Sequence, residues 1–259
     1  MTEADYVVKP VFKALQVLRC LGEAERELSL GDVCARVGLP RSTTFKYLRT
    51  LRESGFVAHD PETDRYRIGL LVWELGQLAA DHARVRDLAL PTMRELHETF
   101  NETVNLAVPD GSDVVYVEML ESSRPLRMGA RLGARDPMYC TALGRAILAS
   151  LPADQWDTRI PGRLTARSPR TITSPARLRA ELDSVRARGY ALERGETEQG
   201  VSCVAAAILD GRGRAVAAIS VSAPDARLTD DLVDTIAEQV RQAAGSCSRR
   251  LGHPPDATG

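Results

Sequence analysis

"LPRSTTFKYLRTL", Leu39 to Leu51, reads as the opening of a helix that carries Arg41, Lys46 and Arg49 and no acidic residue. Widening the window to Val33–Arg52 adds Arg36 and Arg52 and still no Asp or Glu. The whole chain of 259 residues has a formal net charge of −1, so this concentration of cations is local. At about 100° per residue, Thr44, Tyr47, Leu48 and Leu51 fall on one side, which must be core. Ser42, Lys46 and Arg49 fall opposite, with Arg41, Phe45 and Arg52 on the flank and Thr43 among the short polar residues of the first turns. Short polar residues ahead of long basic ones suit a helix laid in the major groove, its first turns on base edges and its Arg and Lys on phosphates. Phe45 has two readings: it presses on a thymine methyl, or it closes the edge of a small core.

The neighbouring segments give that helix its setting. Ala14, Leu15, Val17, Leu18 and Leu21 recur at helical spacing over about 11–21, and Gly22 follows as a stop. Ser29 and Asp32 have the spacing of a capping box for a helix whose apolar face is Leu30, Val33, Cys34 and Val37. Gly38 ends it, and Pro40 suits the first turn of the next. Two helices joined by so tight a turn form a helix-turn-helix. After Gly55, "FVAHDPETDRYRIG" places strand-like Phe56–His59 and Arg65–Ile68 around a run of turn residues, which predicts a wing. Arg65 and Arg67 alternate with Tyr66 and Ile68, so one face of the wing is basic and the other apolar.

From Gly69 the pattern turns helical again, with Leu71, Leu75, Leu78 and Ala79 on a stripe and Trp73 beside it. The stripe is either a dimer seam or packs on its own wing. A following helix is expected over about 88–100, starting near Pro91 because proline is poorly tolerated further in. The remainder alternates strands and helices. "ETVNLAVPDGSDVVYVEML" is a hairpin around Asp110-Gly111, "TALGRAILASL" a helix with a small-residue start, and "SPARLRAELDSVRARGY" a helix capped by Ser174 and ended by Gly189. "CVAAAILDGRGRAVAAISVSAP" is a second hairpin, and Thr229 caps a final helix to about Leu251, before a loose tail. The expected class is α+β, with residues 1–69 a winged helix-turn-helix, 70–86 a linker helix, 87–252 a sensor-like domain and 253–259 the tail. On the last strand, Ser220 and Ser222 share one face and Ile219 and Val221 the other. The hydroxyl pair reads either as a pocket wall for a small polar ligand or as surface serines.

Composition excludes several classes. The apolar runs are far shorter than the ~20 residues of a membrane span, and "MTEADYVVKP" lacks the regions of a signal peptide. Five scattered cysteines without a CxxC describe a reduced, cytoplasmic chain. Nothing in the spacing of the four histidines suggests a metal site, and no cofactor is expected. A cysteine-dependent enzyme built on Cys203 is the rival reading. No histidine lies between His97 and His253 to activate that thiol, and its neighbours Val204 to Ala207 suit a buried small residue.

In order and spacing, "LSLGDVCARVGLPRSTTFKYLRTL", "GFVAHDPETDRYRIG", "TALGRAILA", "RGYALERGETEQGVSCVAAAI" and "AISVSAP" resemble the IclR-type bacterial transcriptional regulators over about residues 10–251. The resemblance implies an N-terminal winged helix, a dimerising linker helix and a GAF-like C-terminal domain that binds a metabolite. It also implies homodimers or homotetramers on double-stranded operator DNA. Carried over by position, the effector pocket falls at Met128, Ala142, Leu143, Gly144, Glu193, Val201, Cys203, Ser220 and Ser222. Amides at the helix start Ala142–Gly144 would suit an anion, which points to a small organic acid or related catabolite. The chain departs from the family pattern where Arg194 interrupts the acidic "ERGETEQ" run, where Ser202 stands in place of an arginine and where Leu143 is bulkier than the residue some relatives have.

Overall fold

The computed structural model describes residues 7–78, 80–125 and 131–254. The chain divides into two compact units, Met1–Ala80 and Asp81–Gly259.

In the first unit, α1 (Lys9–Gly22), α2 (Leu30–Val37) and α3 (Arg41–Glu53) pack with a three-stranded sheet of order β1-β3-β2, formed by β1 (Leu28–Ser29), β2 (Val57–Asp60) and β3 (Arg65–Ile68). The Ser29–Asp32 capping box is present in both directions, and Gly38 closes α2 in the left-handed region at φ 65°. Pro40 stands at the N-cap of α3, one residue earlier than the first-turn position expected for it. Val17, Leu21, Leu28, Val33, Leu48, Leu51, Val57 and Tyr66 fill the core. Leu15 is a correction to the predicted core stripe: it is 54% exposed, and with Val8, Val11 and Phe12 it makes a second, uncovered apolar stripe on α1. In α4 (Leu70–Leu78), Leu70, Trp73 and Leu75 are likewise exposed, whereas Leu71 of the expected stripe is half-buried beside Gly55; the Leu78 side chain and Ala79 lie outside the described residues.

In the second unit, six antiparallel strands run in the order β6-β5-β4-β9-β8-β7. They are β4 (Thr103–Asp110), β5 (Asp113–Leu120), β6 (Arg135–Pro137), β7 (Ala191–Arg194), β8 (Val201–Leu209) and β9 (Ala215–Pro224). Both expected hairpins form. Val104, Leu106, Val204, Ile219 and Val221 face a core shared with α5 (Ala80–Phe100) and α8 (Asp230–Arg250). Ala107, Ala205 and Ala218 face the other, shared with α6 (Ala142–Ser150) and α7 (Pro175–Arg188). This is the α+β arrangement expected, with the sheet between two helical layers.

The start of α5 is a second correction. It runs 21 residues with Pro91 inside it. Val85, Ala89, Met93 and Leu96 are buried along it, and that packing offsets the roughly 3 kcal/mol a mid-helix proline costs. Arg250 also donates to the Leu88 carbonyl at 2.8 Å, in the turn where Pro91 supplies no N–H. At the other end, His253 is not loose: its N–H reaches the Ser248 carbonyl at 2.9 Å and its Nδ1 lies 3.2 Å from the Asp210 carbonyl. Residues 255–259 lie outside the described residues.

Candidate functional site

Two surfaces carry the chemistry. On α3, Thr44, Leu48 and Leu51 are buried, whereas Arg41, Ser42, Phe45, Lys46 and Arg49 are exposed and Thr43 is half-buried. The wheel read from sequence therefore holds. Phe45 is 45% exposed and stands outside the N-terminal core, so of its two readings the core-closing one falls. Arg49 meets Glu53 at 2.9 Å one turn on, with both side chains more than 60% exposed, a pairing that costs little to open. The wing differs from a freely basic face. Arg67 Nη1 donates to Glu27 Oε1 at 2.9 Å and Arg65 Nη1 to the Glu27 carbonyl at 3.0 Å, so both guanidiniums are tied to the residue before β1. Tyr66 is buried between them.

The second surface is a cleft of about 100 Å³ on the α6 side of the large sheet. Ala142, Leu143, Glu193, Val201, Cys203, Ser220 and Ser222 all line it, brought together from α6, β7, β8 and β9. Ser220 and Ser222 are 0% and 4% exposed, which removes the surface-serine alternative. Gly144 does not line the cleft, and its N–H donates to the N-cap hydroxyl of Thr141 at 3.1 Å. It is needed for packing instead: a Cβ there would sit 2.2 Å from the Met138 Cα. Met128 lies outside the described residues. Sequence reasoning missed Asn105, Tyr116, Asp136, Thr141, Thr197 and Glu198, which complete the lining.

The polar groups are interlocked. Asn105 Nδ2 donates to Ser220 Oγ at 3.4 Å and to Ser222 Oγ at 3.1 Å, and Cys203 Sγ donates to the same Ser222 oxygen at 3.0 Å. Glu193 Oε1 accepts from the N–H of Glu196 and, at 3.1 Å, from that of Thr197. Burial nevertheless pushes the Glu193 carboxyl up to about 7, with Glu196 adding to the rise. Asp136 is raised by burial too, against the pull of Arg167 and the hydrogen bond it accepts from Tyr116 at 3.2 Å. Burial and then the nearby Glu193 push the Cys203 thiol well above its ordinary range, the reverse of what a nucleophilic cysteine needs. Two of the three departures from the family pattern point away from the cleft, Arg194 reaching Asp230 at 2.6 Å and Ser202 pairing with Asp225, whereas the third, Leu143, lines it. Among the described residues no cluster of His, Cys, Asp and Glu has the makings of a metal site, and no helix is long and apolar enough to cross a membrane.

A winged helix-turn-helix with a basic recognition face, carried on one chain with a buried polar cleft, defines a ligand-responsive DNA-binding regulator. Comparison with known proteins agrees. The IclR helix-turn-helix domain matches residues 10–61, and the bacterial transcriptional regulator IclR C-terminal domain matches residues 77–249. The HTH-type transcriptional regulator KdgR of Escherichia coli (strain K12) is 34% identical over 247 residues, 95% of this chain and 94% of that protein. The HTH-type transcriptional repressor AllR of Klebsiella pneumoniae is 34% identical over 95% of this chain and 90% of its own. Among solved structures, the Thermotoga maritima IclR superposes with a TM-score of 0.79 at 30% identity, covering 95% of this chain and 100% of that one. An IclR homolog from Microbacterium hydrocarbonoxydans, complexed with 4-hydroxybenzoate, gives 0.80 at 25% identity over 93% of this chain and 98% of its own. The chain belongs to the IclR family of transcriptional regulators: an N-terminal DNA-binding domain with a C-terminal effector domain, and relatives that are named regulators and repressors rather than enzymes.

Proposed function

We propose that the exposed face of α3 reads operator DNA, with Ser42, Thr43, Phe45 and Lys46 toward base edges and Arg41, Arg49, Arg65 and Arg67 toward phosphates. The carrying observation is that Ser42, Lys46 and Arg49 are exposed on a helix whose opposite side is fixed in the core. Arg65 and Arg67 approach the backbone from the wing, held in direction by Glu27. In this reading residues 1–69 form the DNA-binding domain, 70–86 the linker, 87–252 the effector domain and 253–259 the tail, and the protein works in the cytoplasm as a homodimer or homotetramer. The exposed apolar residues of α1 and α4, among them Phe12, Leu15, Trp73 and Leu75, support self-association.

The cleft takes a small organic acid or related catabolite. Ala142 and Leu143 present first-turn amides where the helix dipole is positive, and Ser220 and Ser222 add hydroxyls. A carboxylate can enter beside Glu193 because burial raises that side chain to about 7, so it carries a full negative charge less readily than an exposed glutamate. The homolog bound to 4-hydroxybenzoate supports the same ligand class. Fluorescence anisotropy on operator-length duplex, with and without organic acids, tests the whole reading. Saturable binding that weakens or strengthens with one acid is expected. An affinity that no acid moves counts against the effector assignment.

A further inference from the structure

The polar accounting of the cleft leaves one group over. Both hydrogens of Asn105 Nδ2 are used, one on Ser220 and one on Ser222. The Ser222 oxygen accepts from Asn105 and from Cys203, which leaves its own O–H to donate. The Ser220 oxygen likewise accepts from Asn105 and keeps its proton for another partner. Asn105 Oδ1 accepts nothing: it is the one buried side-chain polar atom without a hydrogen bond among the described residues, on a side chain only 4% exposed. A buried acceptor without a partner is costly, and this one belongs to a residue that lines the cleft.

We propose that Asn105 sets the specificity of the cleft: its free Oδ1 requires a ligand that brings a hydrogen-bond donor, so the effector is a hydroxycarboxylic acid rather than an oxo acid or an unsubstituted one. The inference rests on reading this cleft as the effector site. The two kinds of group present correspond to the two ends of such a molecule. The serine hydroxyls and the amides of Ala142 and Leu143 donate, which suits a carboxylate. The Asn105 oxygen accepts, which suits an alcohol O–H. The register of the sheet holds Asn105 directly across from Ser220, with Ser222 across from Thr103, so donors and acceptor stand on adjacent strands of one face. An oxo acid brings only acceptors and would set a carbonyl oxygen against Oδ1, with no proton between them.

Three matched sets of acids test this on the whole chain by isothermal titration calorimetry: lactate, pyruvate and propionate; malate, oxaloacetate and succinate; 3-hydroxybutyrate, acetoacetate and butyrate. At least one hydroxy acid is expected to bind about tenfold or more tighter than both of its partners. Asn105→Ala and Asn105→Leu should reduce that preference to within about threefold; the readout is the ratio within each set, since the same amide also holds Ser220 and Ser222 and its loss can shift the affinity for all three acids together. Ser220→Leu, which fills the cleft, should abolish binding of every acid, with circular dichroism confirming a folded chain. If oxo or unsubstituted acids bind as well as the hydroxy acids and Ser220→Leu abolishes them, the cleft assignment stands and the role given to Asn105 is overturned. An oxo acid preferred by wild type overturns it in the same way, since the amide would then be presenting its N–H. Binding untouched by Ser220→Leu and by Ser222→Leu overturns the cleft assignment and the inference with it. If no acid of the nine binds, the inference is likewise overturned. Should the Asn105 variants fail to fold, the ranking within each set on wild type decides alone.

Discussion

Arg145 and Glu196 meet inside the C-terminal unit with two guanidinium N–H groups on two carboxylate oxygens, Nη1 to Oε1 at 2.6 Å and Nη2 to Oε2. Arg145 is 1% exposed and Glu196 9%. Arg145 Nε also donates to the Tyr139 carbonyl at 2.9 Å, and Glu196 Oε2 accepts from the Ile172 N–H at 3.2 Å. The pair thus joins α6, the segment leading into it, the stretch around residue 172 and the loop that carries Thr197 into the cleft. Removing one partner leaves the other buried and uncompensated, at a cost of about 3–5 kcal/mol. Glu196→Gln and Arg145→Met should each reduce the unfolding free energy measured in urea by that amount, and the Arg145→Met, Glu196→Leu double variant should lose less than either single one. Single variants as stable as wild type would mean that the pair does not hold the loop.

Glu193 makes stability depend on pH in an unusual direction. Burial, with help from Glu196, holds its folded value at about 7, above the 4.5 of an exposed glutamate; Arg145 and the two N–H donors oppose the rise without cancelling it. The folded chain therefore keeps a proton that the unfolded chain releases. Its contribution is fully present below about 4.5 and is lost as pH rises toward about 7. Each tenfold change in proton affinity is about 1.4 kcal/mol, so the loss across that window is on the order of 3 kcal/mol. Chemical denaturation at pH 5.5 and 8 should show wild type weakening across that window and Glu193→Gln, which keeps the acceptor oxygen, weakening much less. Equal slopes for the two proteins would remove Glu193 as the cause.

Much of the architecture is readable from residues near each other in the chain. Ser29 with Asp32, Ser174 with Gly189, and Asp110-Gly111 are local signals, and each forms the cap or turn expected of it. Period-two alternation also finds Ser220 and Ser222, and the same rule applied to Thr103, Asn105 and Ala107 would mark Asn105 as a face partner. What stays hidden depends on distant pairing. The three-residue β6, the four-residue β7 and the two-residue β1 are too short to show a period and exist because a longer strand lies beside them. Tyr116, Asp136 and Thr197 reach the cleft from three separate segments, and no local pattern announces that convergence. The extension of α5 through Pro91 escapes the local pattern for a related reason: burial against the sheet outweighs local propensity.

The DNA surface should separate into two kinds of variant. Ser42→Ala and Lys46→Ala remove groups that the proposed reading directs at base edges, so they should change sequence preference, each good base contact contributing about 1–3 kcal/mol of discrimination. Arg67→Ala should weaken binding to every sequence alike and reduce the salt slope by about 0.9. Because Glu27 holds that guanidinium at 2.9 Å, Glu27→Ala should change overall affinity without changing preference. Competition assays across salt concentrations and operator variants measure both quantities. If the α3 and wing variants behave alike, the division between readers and anchors is wrong.

The uncovered apolar residues of the N-terminal unit bear on assembly. Phe12 is 53% exposed and Trp73 63%, and neither belongs to the core formed by Val17, Leu48 and their neighbours. Substituting them should therefore spare the fold of the unit while removing surface that a second copy would bury. Burying a large apolar side chain contributes about 1.5–3 kcal/mol, and in a two-fold interface each substitution counts twice. Phe12→Glu or Trp73→Glu should then weaken the dimer by about 10²-fold or more. Sedimentation equilibrium at micromolar concentration should show monomer for the variants and dimer or tetramer for wild type, with unchanged far-ultraviolet dichroism. A repeated half-site should lose affinity in parallel, because two recognition helices held together bind as one ligand. Variants that remain fully associated would place the subunit contact elsewhere on the chain.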